Sequence, residues 1–301
     1  MVAYDDLPAL EQGSGIEDLA CPSRHTLLVT VEPSSIKRYG RRFLAQFGSV
    51  LTSHEPDVLQ HPDAIRSQPA LRWFYGAGHS HWLTFDEMLA NPPTTKRKLI
   101  STVASSKQQR HTLHRRRYLF TQELQQRLPA LEIFGHGVRD MDDKAEALDA
   151  YEYHVAVENH LGPNHWTEKL ADTFLGCCLP FYFGCPNAAD YFPTQSFIPI
   201  DIFNPDESAQ RIRSAMEAGE YQKRLPHILE ARRRVLYDFN LFAVLSRLIE
   251  ARHSTESRRP GAQLLSRHAM RSSSVRNTIE DFFDKVQHRL FSGRSRNREA
   301  R

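Results

Sequence analysis

Between Tyr151 and Pro205 the chain alternates short apolar runs with polar breaks in an order that few folds accept. Tyr153–Val157 is apolar enough for a strand buried on both faces, as in a parallel sheet. It ends in Glu158 and Asn159, a carboxylate and an amide at a strand's carboxyl end. Gly162 and Pro163 make a loop, Asn164 is suited to N-cap a helix His165–Leu175, and Gly176 to close it. Thr167, Glu168 and Lys169 then fall in the helix's first turn. Cys178–Phe183 reads as the next buried strand and Gly184–Asn187 as its turn. In open α/β sheets ligands bind beyond the carboxyl ends of the strands. The free N–H groups of a helix N-terminus favour phosphate there.

The rest of the chain extends the same alternation. Thr26–Val31 predicts a strand, a serine at 34 or 35 a helix running to Gln46, and Val50–Thr52 and Leu71–Tyr75 two further strands. The first twenty-odd residues show no period and are expected to be poorly ordered. Pro92–Thr95 reads as a linker. Lys98–Ala104 then predicts a strand, Ser105–His111 a polar loop, Arg115–Leu128 a helix and Leu131–Phe134 a strand. Glu207–Ala218 and Tyr221–Arg252 are expected to be helical. Alternating strands and helices imply right-handed parallel units.

Composition bounds the function. A chain of 301 residues with 40% hydrophobic and 25% charged side chains is globular and can hold two domains. No apolar run approaches the roughly 18 residues of a membrane span. The N-terminus is acidic and lacks a basic-then-apolar signal pattern, so a cytoplasmic protein is expected. The four cysteines, Cys21, Cys177, Cys178 and Cys185, have no zinc spacing and read as small core residues. The net charge of +3 is uneven. Residues 251–301 hold twelve basic and five acidic side chains, a net +7, and the remaining 250 residues are net −4. The acidic body and the lack of a binding motif argue against nucleic acid. In the tail, Val275, Ile279, Phe282, Phe283, Val286 and Leu290 share one helical face. That helix has three readings: docked on the N-terminal domain, lying on an anionic membrane surface as a peripheral protein does, or transient in a disordered tail.

The run VENH…WTEKLADTFLGCCLPFYFGCPNAADYFPTQSFI resembles the C-terminal donor-binding domain of the α-1,3/4-fucosyltransferases, glycosyltransferase family 10. The likeness lies in a Glu-Asn strand end, a Thr-Glu-Lys helix start, a Pro-aromatic-Gly-Pro turn and an Asp-Tyr-Phe-Pro block at matching spacing. It covers residues 98–205 well and 26–98 weakly. The resemblance implies a GT-B-like α/β fold of two Rossmann-like domains facing a cleft, the N-terminal one short. The corresponding divisions are residues 1–95 for the acceptor side, 96–254 for the donor and 255–301 for the tail. It implies transfer of L-fucose from GDP-fucose to an oligosaccharide or glycoconjugate hydroxyl with inversion. GDP-fucose is then a co-substrate, and no metal or other cofactor is obligatory.

The resemblance also assigns residues. Glu168 and Lys169 fall to the nucleotide sugar, where a carboxylate accepts from hydroxyls and an ammonium neutralises diphosphate. The plain alternative is a solvated pair in a helix's first turn. Within HRRRYLF the pyrophosphate arginine falls best at Arg117 and second at Arg115, since three neighbours on a helix cannot share one direction. Glu158, Asn159 and Thr167 complete the strand-to-helix side. His165 stands where the family has tyrosine, and a ribose contact is carried over to it. LLVTVEPSS is similar to the family's short strand ending in the proposed base, here Glu32. The loop Gly76–Trp82 lacks a phosphate-loop pattern. It reads as an acceptor-side loop with Trp82 available for stacking. Another nucleotide sugar on the same fold, and a non-catalytic nucleotide- or glycan-binding relative, remain as alternatives.

Overall fold

The computed structural model describes residues 1–7, 15–104, 113–252 and 262–272. The chain divides into two compact units, residues 1–69 with 248–301, and residues 70–247.

In the first unit, β1 (Val2–Tyr4), β3 (Leu27–Val29), β4 (Ser49–Thr52) and β5 (Ala64–Arg66) form a parallel sheet in the order β1-β3-β4-β5. β2 (Ile16–Asp18) pairs antiparallel with the strand Gln263–Leu265. The core holds Leu28, Phe43, Phe47, Val50 and Leu264. Several expectations are corrected here. Val2–Tyr4 is ordered as an edge strand, paired residue for residue with Leu27–Val29. The helix expected through Gln46 is only a turn at Ser34–Ile36 and a short α1 (Arg41–Leu44). Tyr39, Phe43 and Phe47 meet ring to ring in the core, the first pair stacked at 6.2 Å and the second edge-on at 5.3 Å, although no single helix carries all three. The third strand partner is β5, not Leu71–Tyr75. The amide N–H groups of Phe74 and Tyr75 donate to Asp172 Oδ1 instead of to a ladder.

The second unit opens with α2 (Phe85–Ala90), started by a capping box between Thr84 and Glu87. Its sheet contains β6 (Lys98–Val103), β7 (Leu131–Phe134), β8 (Tyr151–Val157), β9 (Leu179–Phe183) and β10 (Ile198–Pro199). The order is β10-β9-β8-β6-β7 with every pair parallel. β8 is central and almost wholly buried, as its apolar run requires. The helices are α3 (His114–Arg127), α4 (Glu168–Leu175), α5 (Pro205–Glu217) and α6 (Glu220–Tyr237), followed by α7 (Leu241–Arg252). Phe120, Tyr153, Phe174, Phe181 and Tyr221 are fully buried in this core. Each such side chain contributes on the order of 1.5–3 kcal/mol by leaving water.

Two helix expectations change. Tyr221–Arg252 is not one helix: α6 ends at Tyr237, and Asn240 Oδ1 accepts from the Ala243 amide at 2.8 Å to start α7. The helix after β8 begins at Glu168, with Thr167 and not Asn164 as its cap. Asn164 has φ +60°, and its Oδ1 accepts from Asn187 Nδ2 and the Tyr191 hydroxyl at 2.9 and 2.7 Å. The amphipathic face Val275–Leu290 lies outside the described residues.

Candidate functional site

The strand order sets the place for a ligand. The chain steps from β6 to β7 on one side, and the next strand, β8, lies on the other side of β6. Where the winding reverses, the connections leave the sheet in opposite directions and open a crevice at the carboxyl ends. A cavity of about 220 Å³ lies there, lined by Val103 at the end of β6, by Ala104 after it and by residues 154–157 of β8. Gly135, just past β7, has φ +126°, and a Cβ on it would lie 2.1 Å from the Ala104 carbonyl oxygen. Only glycine lets these two strand ends approach so closely.

Charged side chains reach this cavity from three elements. α3 supplies Arg117, α4 supplies Glu168, Lys169 and Asp172, and the turn Lys144–Ala147 supplies Lys144. They form a row of alternating sign along the start of α4. Lys144 Nζ is 2.6 Å from Asp172 Oδ2 and 4.0 Å from Glu168 Oε1. Lys169 Nζ is 2.9 Å from Glu168 Oε1 and 3.5 Å from Glu158 Oε2.

Glu158 anchors the row from beneath and is fully buried. Its Oε1 accepts the Thr167 amide at 2.8 Å and its Oε2 the Thr167 hydroxyl at 2.6 Å. The strand end thereby fixes the helix cap. Gly184 allows this, since a Cβ there would lie 2.3 Å from Glu158 Cγ. Burial pushes the Glu158 carboxyl up against the opposing charge of Lys169. For Glu168, burial pushes the same way, but the ammonium groups of Lys169 and Lys144 outweigh it and hold the carboxyl at about 2. Burial also opposes the charge on Lys169, yet Glu168 and Glu158 together raise it above its ordinary value. Arg117 is 8% exposed, and its Nη1 donates to Asn159 Oδ1 at 2.6 Å. Its guanidinium is drawn down by burial, against Glu158 and Glu168, and stays charged at any ordinary pH.

Such an arrangement offers Arg117, Lys169 and a helix start to an anion, and the Glu168 carboxylate to hydroxyl groups. Residues 93–224 match the model of glycosyltransferase family 10 (fucosyltransferase), C-terminal domain. These residues are a family 10 C-terminal domain. Over 75 residues the chain is 32% identical to alpha-(1,3)-fucosyltransferase FucT of Helicobacter pylori, a stretch that is 25% of this chain and 16% of that protein. Among solved structures, an α1,3-fucosyltransferase with GDP-fucose aligns with a TM-score of 0.49 and 18% identity, covering 78% of this chain and 79% of that one. S. aureus TarM aligns with a TM-score of 0.47 and 8% identity, covering 70% and 45%.

Within the family 10 domain, Arg117, Glu168 and Lys169 line the cavity. The three neighbouring arginines separate as helix geometry requires. Arg116 Nε donates to the Ile202 carbonyl at 2.7 Å and its Nη2 pairs with Glu123, while Arg115 is exposed. Glu158, Asn159 and Thr167 stand one layer behind the cavity lining and hold its residues. His165 is buried at 2% exposure, with its ring 5.1 Å from that of His160. Trp82 is 76% exposed. In the other unit, Glu32 is exposed beyond β3, and its carbonyl accepts from His54 Nε2 at 2.8 Å.

Lys144, Asp172 and His154 are cavity residues that the sequence reading passed over. Lys144 lies inside an Asp-x-x-Glu pattern, Asp143 to Glu146, which is a capping box in the structure and the one signal that marked this turn. Among the described residues no three His, Cys, Asp or Glu side chains converge as for a metal ion, and no helix is long and apolar enough to cross a membrane.

Proposed function

We propose that this chain transfers L-fucose from GDP-fucose to a glycan hydroxyl, with inversion at C1. The observation that carries the reading is the convergence of Arg117, Lys169 and Glu168 on one cavity at the winding reversal of a family 10 domain. As the diphosphate departs from C1, negative charge grows on its oxygens. Arg117 can take two of them with its planar fork, and Lys169 supplies a point charge. Glu168 accepts from sugar hydroxyls. Glu32 takes the acceptor proton as the hydroxyl oxygen attacks C1 from the face opposite GDP. With two side-chain cations at the leaving group, the proposal needs no divalent metal. The name of the Helicobacter pylori relative supports an α-1,3 linkage, and N-acetylglucosamine or glucose is the acceptor unit we propose. The basic tail is proposed to hold the protein on an anionic membrane surface, on the cytoplasmic face.

The test is a transfer assay with GDP-fucose over β-galactose, N-acetylglucosamine and glucose acceptors, with and without a chelator, and with UDP-sugars in parallel. Fucosylated product with unchanged rate in chelator is expected. Product only from a UDP-sugar would overturn the donor assignment, and GDP binding with no transfer or donor hydrolysis would make the chain a binding relative.

A further inference from the structure

Lys144 comes from a turn that neither the Glu-Asn strand end nor the Thr-Glu-Lys helix start contains, yet it lines the cavity together with Glu168 and Asp172. Its position is set by rigid neighbours. Asp172 is 2% exposed, and its Oδ1 is occupied by the amides of Phe74 and Tyr75 at 2.9 and 3.0 Å. Its other oxygen, Oδ2, receives Lys144 Nζ at 2.6 Å. The Phe74 ring centroid lies 5.2 Å from the same ammonium. The turn that bears Lys144 is itself capped by Asp143, whose Oδ1 accepts from Ala145 N at 2.8 Å and Gly76 N at 3.0 Å. The ammonium is thus held at 4.0 Å from Glu168 Oε1.

Glu168 therefore lies between two ammonium groups. Its Oε1 is paired with Lys169 Nζ at 2.9 Å, and the second ammonium, at 4.0 Å, draws the same carboxylate toward the Asp172 side of the cavity wall. We propose that Lys144, anchored on Asp172, is a positioning residue that shares the Glu168 carboxylate with Lys169 and keeps it on the cavity wall, facing the hydroxyls of the donor sugar. This inference rests on the donor-pocket reading above. The charge of Lys144 also helps keep Glu168 deprotonated, with its carboxyl at about 2 against the effect of burial.

A double-mutant cycle on the full chain tests it, with Lys144→Met, Glu168→Gln and the pair, reading GDP affinity by calorimetry and kcat/KM for GDP-fucose. Lys144→Met is expected to lower kcat/KM about tenfold while leaving GDP affinity within about threefold. In the Glu168→Gln background the same change should cost less than about twofold, because Lys144 acts through Glu168. Lys144→Arg should restore most of the activity, and the acid limb of kcat/KM should move to higher pH in Lys144→Met. Lys144→Gln replaces Lys144→Met where the latter does not fold. Equal losses in both backgrounds, or no loss, would overturn the inference even if the wild-type chain binds GDP. If the wild-type chain binds no GDP, the donor-pocket reading fails and takes this inference with it.

Discussion

Lys169 sits between two carboxylates, and its two roles can be separated by mutation. It balances Glu158, which is fully buried, at 3.5 Å, and it lines the cavity. Lys169→Ala should weaken GDP binding ten- to a hundredfold, since a hydrogen bond to a charged group is worth about 1.5–3 kcal/mol. It should also lower thermal stability, because a buried charge loses its partner. Adding Glu158→Gln should recover stability without recovering GDP affinity, measured by calorimetry and thermal unfolding. Arg117→Ala should weaken GDP similarly; unchanged affinity in both variants would move the donor elsewhere. Glu32→Gln should cut turnover by about 10² to 10⁴ with GDP affinity nearly intact, as loss of a general base does. Near-normal turnover would remove Glu32 as the base.

β8 and α4 show what was legible at the level of elements and what was not. The buried strand, the carboxylate at its end and the Thr-Glu-Lys helix start follow from local pattern, and the structure keeps all three. The cap did not follow, because Asn164 and Thr167 are both good caps. What chooses Thr167 is Glu158, nine residues back, which accepts its amide and hydroxyl. The four-residue spacing of Tyr39, Phe43 and Phe47 serves ring contacts in the core beyond the ends of the short α1, so it does not measure helix length. His154 on β8 gives a prediction at this scale. Its Nδ1 meets Ser101 Oγ at 2.8 Å, and that hydroxyl donates to the Ala147 carbonyl, so the imidazole donates from Nδ1. Burial, then the nearby Lys144, lowers its pKa to about 3. The unfolded chain protonates this histidine near its ordinary value of about 6.5, whereas the folded one stays neutral. Stability is therefore full above about 6.5 and is lost as pH falls toward about 3. Urea unfolding at pH 7.5 and 5 should differ by roughly 2 kcal/mol more in the wild type than in His154→Gln. Equal pH dependence in the two would mean that His154 titrates normally.

At the scale of the molecule, charge counting grouped the residues after 250 into one basic tail, and the structure separates them. Gln263–Leu265 pairs with β2, and Gln46 exchanges hydrogen bonds with Leu265 at 2.8 and 3.1 Å. Leu264 is 1% exposed in the first unit's core, and the Arg267 amide donates to Asp6 at 3.1 Å. None of this was legible, because a three-residue strand whose partner lies some 250 positions away has no local signature. It alters what truncation should do. A chain ending at Ser272 keeps the strand and should retain full transfer to a soluble acceptor, while losing salt-sensitive co-sedimentation with anionic liposomes if the amphipathic face supplies it. A chain ending at Thr255 also loses Leu264, whose burial is worth about 1.5–3 kcal/mol, and uncovers Leu19 and β2. It should show faster amide exchange in β1, β3 and β4 and lose transfer, with exchange in β6, β8 and β9 and the affinity for GDP preserved. Full transfer by the Thr255 chain would show that the returning strand is dispensable to the first unit, and liposome binding by the Ser272 chain would place the membrane contact before residue 273.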